Sequence, residues 1–566
     1  MRPSDKIGSA PFLEETAGGA LDFRTPPRRG NHVSPLIEAE EVYPALERLV
    51  LGARDRVHLA FWLFDPRTRL RSPEARGQNL DRWSDLLIAT AERGVDVRLF
   101  VSDFEPVVGN YFHRICWRNI QALLEAMGQR ESRPANLQIL IARHLGEIGP
   151  AWRIGFWPFL RAKLWTLLHH ARRSGDLETV PGLWPHCLPE GESWRARLWP
   201  PAALWPASHH QKMAVIDGRV ALVGGLDINE RRYDDARHQR HAAQTWHDLS
   251  CLIEGAAAAD FDRHFVAHWN HHVPDFNRTL ERLAGSPLGR ERKLPDPPRP
   301  VENRPPARPA DGGRDGSTVQ ALKTLSRRRN GPFAIRPHPI QRDFEEAYEQ
   351  LIPEARRLIY IETQFFRWLP LARRLAARLR SAPDLELLMV IPMAPEDVAF
   401  LHDRGAAARH GEWLQSRCLE MVKRAAPERV GIFSLVRHAG AEPDLDEAAK
   451  AFGSGIVYVH SKTTLVDDRW AILGSANCNG RSLRMDTELG FLWDDPEGVG
   501  RLRRELWKRH FEEAPQEGPF LPLWRRIAEA NAASRPTERQ GFLVPYRWRR
   551  AYRFGRFAAY VPDSYV

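Results

Sequence analysis

Two stretches of this chain place an imidazole, an ammonium and a carboxylate at the same spacing. Residues 210–217 read HQKMAVID and residues 460–467 read HSKTTLVD. In an extended strand, positions i and i+2 share a face. His210 therefore points with Lys212 and His460 with Lys462, while Gln211 and Ser461 point the other way. A single HxK means little; two copies at matched positions fit one reaction. Attack on an anionic phosphodiester needs positive charge and hydrogen-bond donors around the non-bridging oxygens. Lys212 and Lys462 supply charge, and Asn229 and Asn479 supply amide donors. One neutral imidazole can attack phosphorus and form a phosphohistidine. The other, protonated, can donate to the leaving alkoxide and later activate the acceptor. One histidine from each half suffices if the halves meet. Asp217 and Asp467 complete the candidate catalytic set, but they fall at Asp-Gly and Asp-Asp turns and read as structural. Asp248 and Glu488 are candidates for orienting the imidazoles.

These residues lie in an internal repeat. After Asp217 comes GRVALVGGLDIN and after Asp467 comes DRWAILGSANCN, so Gly225 aligns with Ser475, Asp227 with Asn477 and Asn229 with Asn479. Upstream, 46–65 and 348–366 each read as an amphipathic helix running into an apolar strand. A second helix and strand follow at 83–103 and 371–392. Downstream, HDLSCLIEG (247–255) matches TELGFLWDD (487–495) as a buried strand, each followed by a helix. This alternation implies α/β lobes with mainly parallel strands. Val57 to His210 spans more residues than Ile359 to His460. The excess is read as an insertion at 150–205 that carries Trp152, Trp157, Trp165, Trp184, Trp194, Trp199 and Trp205. The expected divisions are an N-terminal extension (1–34), a first lobe (35–284), a Pro/Arg-rich linker (285–317), a second lobe (318–512) and a C-terminal extension (513–566).

The chain has 566 residues, too many for one core and suited to two domains. Its composition, 43% hydrophobic and 27% charged, is that of a globular protein. A formal net charge of +10 suits an anionic partner, phospholipid or nucleic acid. Cys116, Cys187, Cys251, Cys418 and Cys478 form no CxxC pair, which argues against a disulfide framework or a structural zinc site. No apolar run is long enough to span a bilayer, and the N-terminus lacks the order of a secretory signal. A cytoplasmic or peripheral membrane location is expected, with export by another route left open.

The stretch VHSKTTLVDDRWAILGSANCNGRSLRMDTE resembles the second motif region of the phospholipase D superfamily. WHDLSCLIEG resembles the segment that follows the first motif in true phospholipases D. IYIETQFF resembles the family's IYIENQYF block, with Thr363 in place of the usual Asn. The similarity covers roughly residues 35–275 and 318–512. It implies two similar α/β lobes, each a mixed β-sheet flanked by helices, related by a pseudo-twofold axis with the active site at their interface. It also implies a nucleophilic His210, a general acid His460, and substrate contacts from Gly225, Ser475 and Gln364. No metal or cofactor is expected.

The expected function is phospholipase D-type cleavage of the headgroup-side phosphodiester of glycerophospholipids, with transfer to alcohols open. The alternatives are a cardiolipin-synthase-like phosphatidyltransferase, a phosphodiesterase acting on nucleic acid, and a non-enzymatic scaffold; the intact motifs argue against the last. A monomer holding both motifs is expected, with phospholipid and a membrane surface as partners. HWNHH (268–272) suggests metal binding only weakly, and a capping or surface role is expected for it. His209 reads as a supporting or surface residue. The tryptophans of 150–205, interleaved with Arg153, Arg161, Lys163, Arg172 and Arg173, either dock on a lipid interface or pack the insertion.

Overall fold

The computed structural model describes residues 25–566 apart from 131–132, 175, 191–192, 198, 200, 287, 290–292, 303–315, 512–514 and 516. Most of the expected N-terminal extension, the centre of the linker and the side chains of Arg172 and Arg173 lie outside the described residues.

The first half begins with strand β1 (Arg28–Ile37) and helix α1 (Ala39–Gly52), whose Val42, Leu46 and Val50 bury one face at helical spacing. Strand β2 (Arg56–Phe61) follows, buried at every position, as expected of a central strand covered on both faces. Helix α2 (Trp83–Glu92), β3 (Asp96–Asp103) and β4 (Leu137–Arg143) extend the sheet by parallel pairing, β2 to β3 to β4. Next come helices α3 (Pro150–Gly155) and α4 (Trp157–Ser174), then the motif hairpin β5 (Met213–Ile216) and β6 (Val220–Gly224), and finally β7 (Leu249–Glu254) and the long helix α5 (Ala258–Ala284).

The second half repeats this plan with β8 (Ser317–Arg327), helix α6 (Asp343–Leu351), β9 (Leu358–Glu362), helix α7 (Leu369–Ser381), β10 (Glu386–Val390) and β11 (Val430–Gly440). Its motif hairpin is β12 (Thr463–Val466) and β13 (Trp470–Gly474), followed by β14 (Glu488–Asp494) and helix α8 (Pro496–His510). Strand order is β1-β7-β6-β5-β2-β3-β4 in the first half. It is β8-β14-β13-β12-β9-β10-β11 in the second. Antiparallel pairing of β1 with β8 joins the two into one large mixed sheet flanked by helices.

The expectation of mainly parallel strands is corrected. Within these two seven-strand series only β2-β3-β4 and β9-β10-β11 are parallel. Each motif strand returns through a tight three-residue connection, 217–219 or 467–469, which forces an antiparallel hairpin. The turn residues Asp217 and Gly218 have φ of 53° and 65°, and Asp467 and Asp468 have 52° each. Two successive positive φ values define the turn whose twist suits a hairpin.

Candidate active site

The HxK residues lie in the extended lead-in to β5 and β12, not in the strands themselves. Each lead-in is held by the opposite half of the chain. The His210 N–H donates to the Thr487 carbonyl (2.8 Å), and the His460 N–H donates to the His247 carbonyl (2.8 Å). Tyr458 and Val459 pair in parallel with Trp246 and His247, and His209 bridges to Thr487 in the same sense. The exchange is reciprocal, and it carries the side chains with it. His210 Nδ1 meets Glu488 at 3.0 Å, and His460 Nδ1 meets Asp248 at 2.6 Å. Each imidazole is thus oriented by the carboxylate of the other half, leaving Nε2 as the free nitrogen. Both histidines line one cavity of about 690 Å³ with walls from both halves.

The carboxylates are fully enclosed. Asp248 takes the Leu249 N–H (2.8 Å) and lies against Gly225, where a Cβ would stand 2.2 Å from its Oδ1. Glu488 takes the Ser475 hydroxyl at 2.5 Å. Gly225 and Ser475, expected to touch substrate, are not among the cavity-lining residues; they stand behind the carboxylates, one by making room and the other by donating. Gln364 does line the cavity, its amide donating to the Tyr458 hydroxyl at 2.9 Å.

Lys212 and Lys462 are buried beneath the histidines. Each ammonium donates to the carbonyl oxygen of its own motif histidine, at 2.7 Å for Lys212, which also lies 3.7 Å from Asp227. Asp217 accepts from the backbone N–H groups of Arg54, Asp55 and Arg56, and Asp467 from those of Arg356, Arg357 and Leu358. Both aspartates tie the hairpin turn to the neighbouring strand and stand apart from the cavity. Asn229 and Asn479 cap short helical turns through Oδ1, accepting from Arg231 N–H (2.8 Å) and Ser482 N–H (3.0 Å). Asn479 also lines the cavity; Asn229 does not.

Burial governs the electrostatics. It pushes the Glu488 carboxyl up to about 7, against the pull of Lys212, and holds the Asp248 carboxyl above and the Lys462 ammonium below their ordinary values. Both motif histidines lie well below the usual imidazole value, through burial and then the nearby lysines. Both imidazoles are thereby biased to the neutral form. An anion placed in the cavity would offset the lysine charge and raise both histidines.

Sequence reasoning missed several lining residues. Trp62, with its ring centroid 5.4 Å from that of His210, occupies the repeat position of Gln364. Asn477 occupies that of Asp227, and Arg232 that of Ser482; Asn477, Arg232 and Ser482 line the cavity. Arg232 reaches Asp227 at 2.7 Å. The repeat already pairs Asn477 with Asp227; carrying it through every position, rather than its polar landmarks alone, reaches Trp62, Arg232 and Ser482. Arg367 also lines the cavity and had no such signal.

Two groups of side chains among the described residues have the spacing to hold a metal ion, His209/His268/His272 and His247/Glu362/His510. The expected surface placement of HWNHH is thereby corrected. α5 turns His264, His268 and His272 inward at i, i+4 spacing, and only His271 of the motif's three histidines is exposed. His209 is likewise buried.

The family described as "Cardiolipin synthase, PLD-like domain" matches residues 427–510. Phospholipase D A of Dictyostelium discoideum is 25% identical over 388 residues, covering 55% of this chain and 27% of that protein. Phospholipase D zeta 2 of Arabidopsis thaliana is 22% identical over 485 residues, covering 58% of this chain and 46% of that protein. The chain thus spans less than half the length of these two relatives. A crystal structure of phosphatidylserine synthase from Haemophilus influenzae Rd KW20 aligns with a TM-score of 0.47 at 13% identity, over 90% of this chain and 88% of that one. Residues 427–510 thus match a PLD-like domain, and the sequence relatives named are phospholipases D.

Proposed function

We propose that this chain is a phosphodiesterase that cleaves the headgroup-side ester of glycerophospholipids, its two halves set about a pseudo-twofold axis with one site between them. The observation that carries this reading is the pair of histidines at one cavity, each with Nδ1 held by a carboxylate of the opposite half. His210 is the nucleophile; its side chain is 14% exposed against 2% for His460. The Nε2 lone pair of His210 bonds to phosphorus as the phosphorus–oxygen bond to the headgroup breaks, and His460 gives its Nε2 proton to the leaving oxygen. Water or an alcohol then attacks phosphorus and passes its proton to His460, and the phosphorus–nitrogen bond breaks. The buried lysines set a positive field beneath the reacting centre. One chain holds every group required.

The cavity wall supports a lipid over a nucleic acid. Phe104, Val108, Phe112, Phe156, Phe159 and Leu160 present an apolar surface suited to acyl chains. Near them α3 and α4 expose Trp152 and Trp165, while Trp184 of the insertion is buried. No helix among the described residues is long and apolar enough to cross a membrane. The family match to a cardiolipin synthase-type domain supports a second reading, transfer to a lipid alcohol by the same phosphoenzyme.

The test is product analysis. Purified protein is incubated with mixed phospholipid vesicles, with and without ethanol, and separately with plasmid and single-stranded DNA. Phosphatidic acid, replaced in part by phosphatidylethanol when ethanol is present, is the expected result. Transfer to phosphatidylglycerol without release of phosphatidic acid favours the second reading. Cleavage of DNA with no lipid product overturns both.

A further inference from the structure

Directly behind the motif histidine His210, three other imidazoles converge. His209 comes from the lead-in to β5, and His268 and His272 come from successive turns of α5. One ring nitrogen from each lies within 4.8 Å of the other two. Ring centroids are 4.7 Å apart for His209–His268, 4.6 Å for His209–His272 and 4.7 Å for His268–His272. All three residues are buried, at 1%, 2% and 3% exposure. No step of the proposed chemistry uses them.

Their hydrogen bonding is incomplete. His209 Nδ1 has the Thr487 hydroxyl at 3.1 Å and His268 Nε2 at 3.2 Å. His209 Nε2 and His268 Nδ1 are buried with no partner among the described residues. Buried polar atoms in folded proteins are nearly always partnered, so two orphans leave this cluster short of the bonds its rings can make. The second cluster provides the contrast. There His247 meets Glu38 at 2.6 Å and Glu362 at 3.0 Å, and His510 meets Glu362 at 2.8 Å. That cluster is a closed ion-pair network and needs nothing more.

We propose that His209, His268 and His272 bind a late first-row metal ion of the Zn²⁺ class. Zn–N bonds of about 2.0–2.1 Å would need only a small closing of the three rings. The donor set is all imidazole, without the oxygens that Ca²⁺ and Mg²⁺ require or the thiolates of Fe–S centres. The fourth position falls to a solvent molecule, whose acidity the ion raises, which reduces the charge buried. Such an ion clamps α5 to the residue preceding His210. Its role is positional, and it does not depend on which ester the cavity takes.

The test uses the full chain without a histidine tag, stripped with chelator and checked for fold by circular dichroism. Co²⁺ is titrated while absorption between roughly 500 and 650 nm is followed, as suits a tetrahedral nitrogen site, and Zn²⁺ is then added in competition. Metal content is measured by mass spectrometry, and melting temperature with and without Zn²⁺. The expected result is one equivalent per chain, displaced by Zn²⁺, with a higher melting temperature. H268Q should weaken binding at least tenfold and H272L should abolish it, while replacing the exposed His169 and His170 by alanine should leave it intact. A folded wild-type chain that binds no stoichiometric metal overturns the proposal, whatever the variants do. So does binding that persists unchanged in both H268Q and H272L.

Discussion

Gly225→Ala isolates the contact between a backbone position and the carboxylate that orients His460. The added Cβ would lie 2.2 Å from Asp248 Oδ1 and 3.0 Å from its Cγ. Restoring van der Waals contact requires moving the carboxylate by about 1 Å. Its hydrogen bond to His460 Nδ1 is 2.6 Å long, so that shift breaks it. Loss of a charge-assisted hydrogen bond costs about 1.5–3 kcal/mol, and a misplacement of 1 Å at a reacting group costs about 10²-fold. We therefore expect kcat/KM on a soluble aryl phosphodiester to fall about 10²-fold, with circular dichroism unchanged. Gly218→Ala is the control. Its Cβ would meet the flexible end of Arg56 at 2.4 Å, and its φ of 65° is strained for any side chain. That change should cost about 1 kcal/mol of stability and little turnover. A folded Gly225→Ala protein with kcat/KM within about threefold of wild type would refute the reasoning.

Ser475→Ala removes a donor to a carboxylate that burial already holds at about 7. Loss of a bond to the charged form raises that carboxyl further. Because His210 needs the ionised partner, the acid limb of kcat/KM should move up by about one pH unit; an unmoved or lowered limb contradicts this. Asp467→Ala strips an acceptor from three backbone N–H groups, and thermal unfolding should show a loss of about 2 kcal/mol with near-normal kcat in the folded fraction. A collapse of kcat at unchanged stability would return Asp467 to the chemistry. Replacing exposed Trp152, Phe159, Trp165 and Trp199 by serine should reduce sedimentation with anionic vesicles about tenfold or more and spare the soluble diester. Equal loss of both would make these side chains structural.

The repeat made much of this arrangement legible. HQKMAVID and HSKTTLVD placed both histidines, and the matched flanking strands placed Asp248 and Glu488 one per half. The crossing of carboxylate and histidine between halves was not legible, because it is set by two long-range contacts, His210 to Thr487 and His460 to His247. The position of Gly225 and Ser475 behind the carboxylates was not legible for a related reason. A small residue after a motif looks the same whether it admits substrate or a carboxylate. The parallel-strand expectation failed because helix–strand alternation describes only β2-β3-β4 and its repeat, while the hairpins obey their turns. The burial of His268 and His272 was foreshadowed by their i, i+4 spacing, which placed them on one face without saying which face was covered.

The central claim is a single site shared by two histidines, with His210 as the covalent nucleophile. It is tested most directly by quenching turnover of a short-chain p-nitrophenyl phosphodiester in alkali and mapping the adduct by peptide mass spectrometry. Wild type should carry the phosphoryl group on His210 and nowhere else. The adduct should vanish in His210→Ala and accumulate in His460→Ala, where the leaving group needs no acid but water finds no base. Turnover that survives in His210→Ala, or an adduct that forms on another residue, would contradict the account.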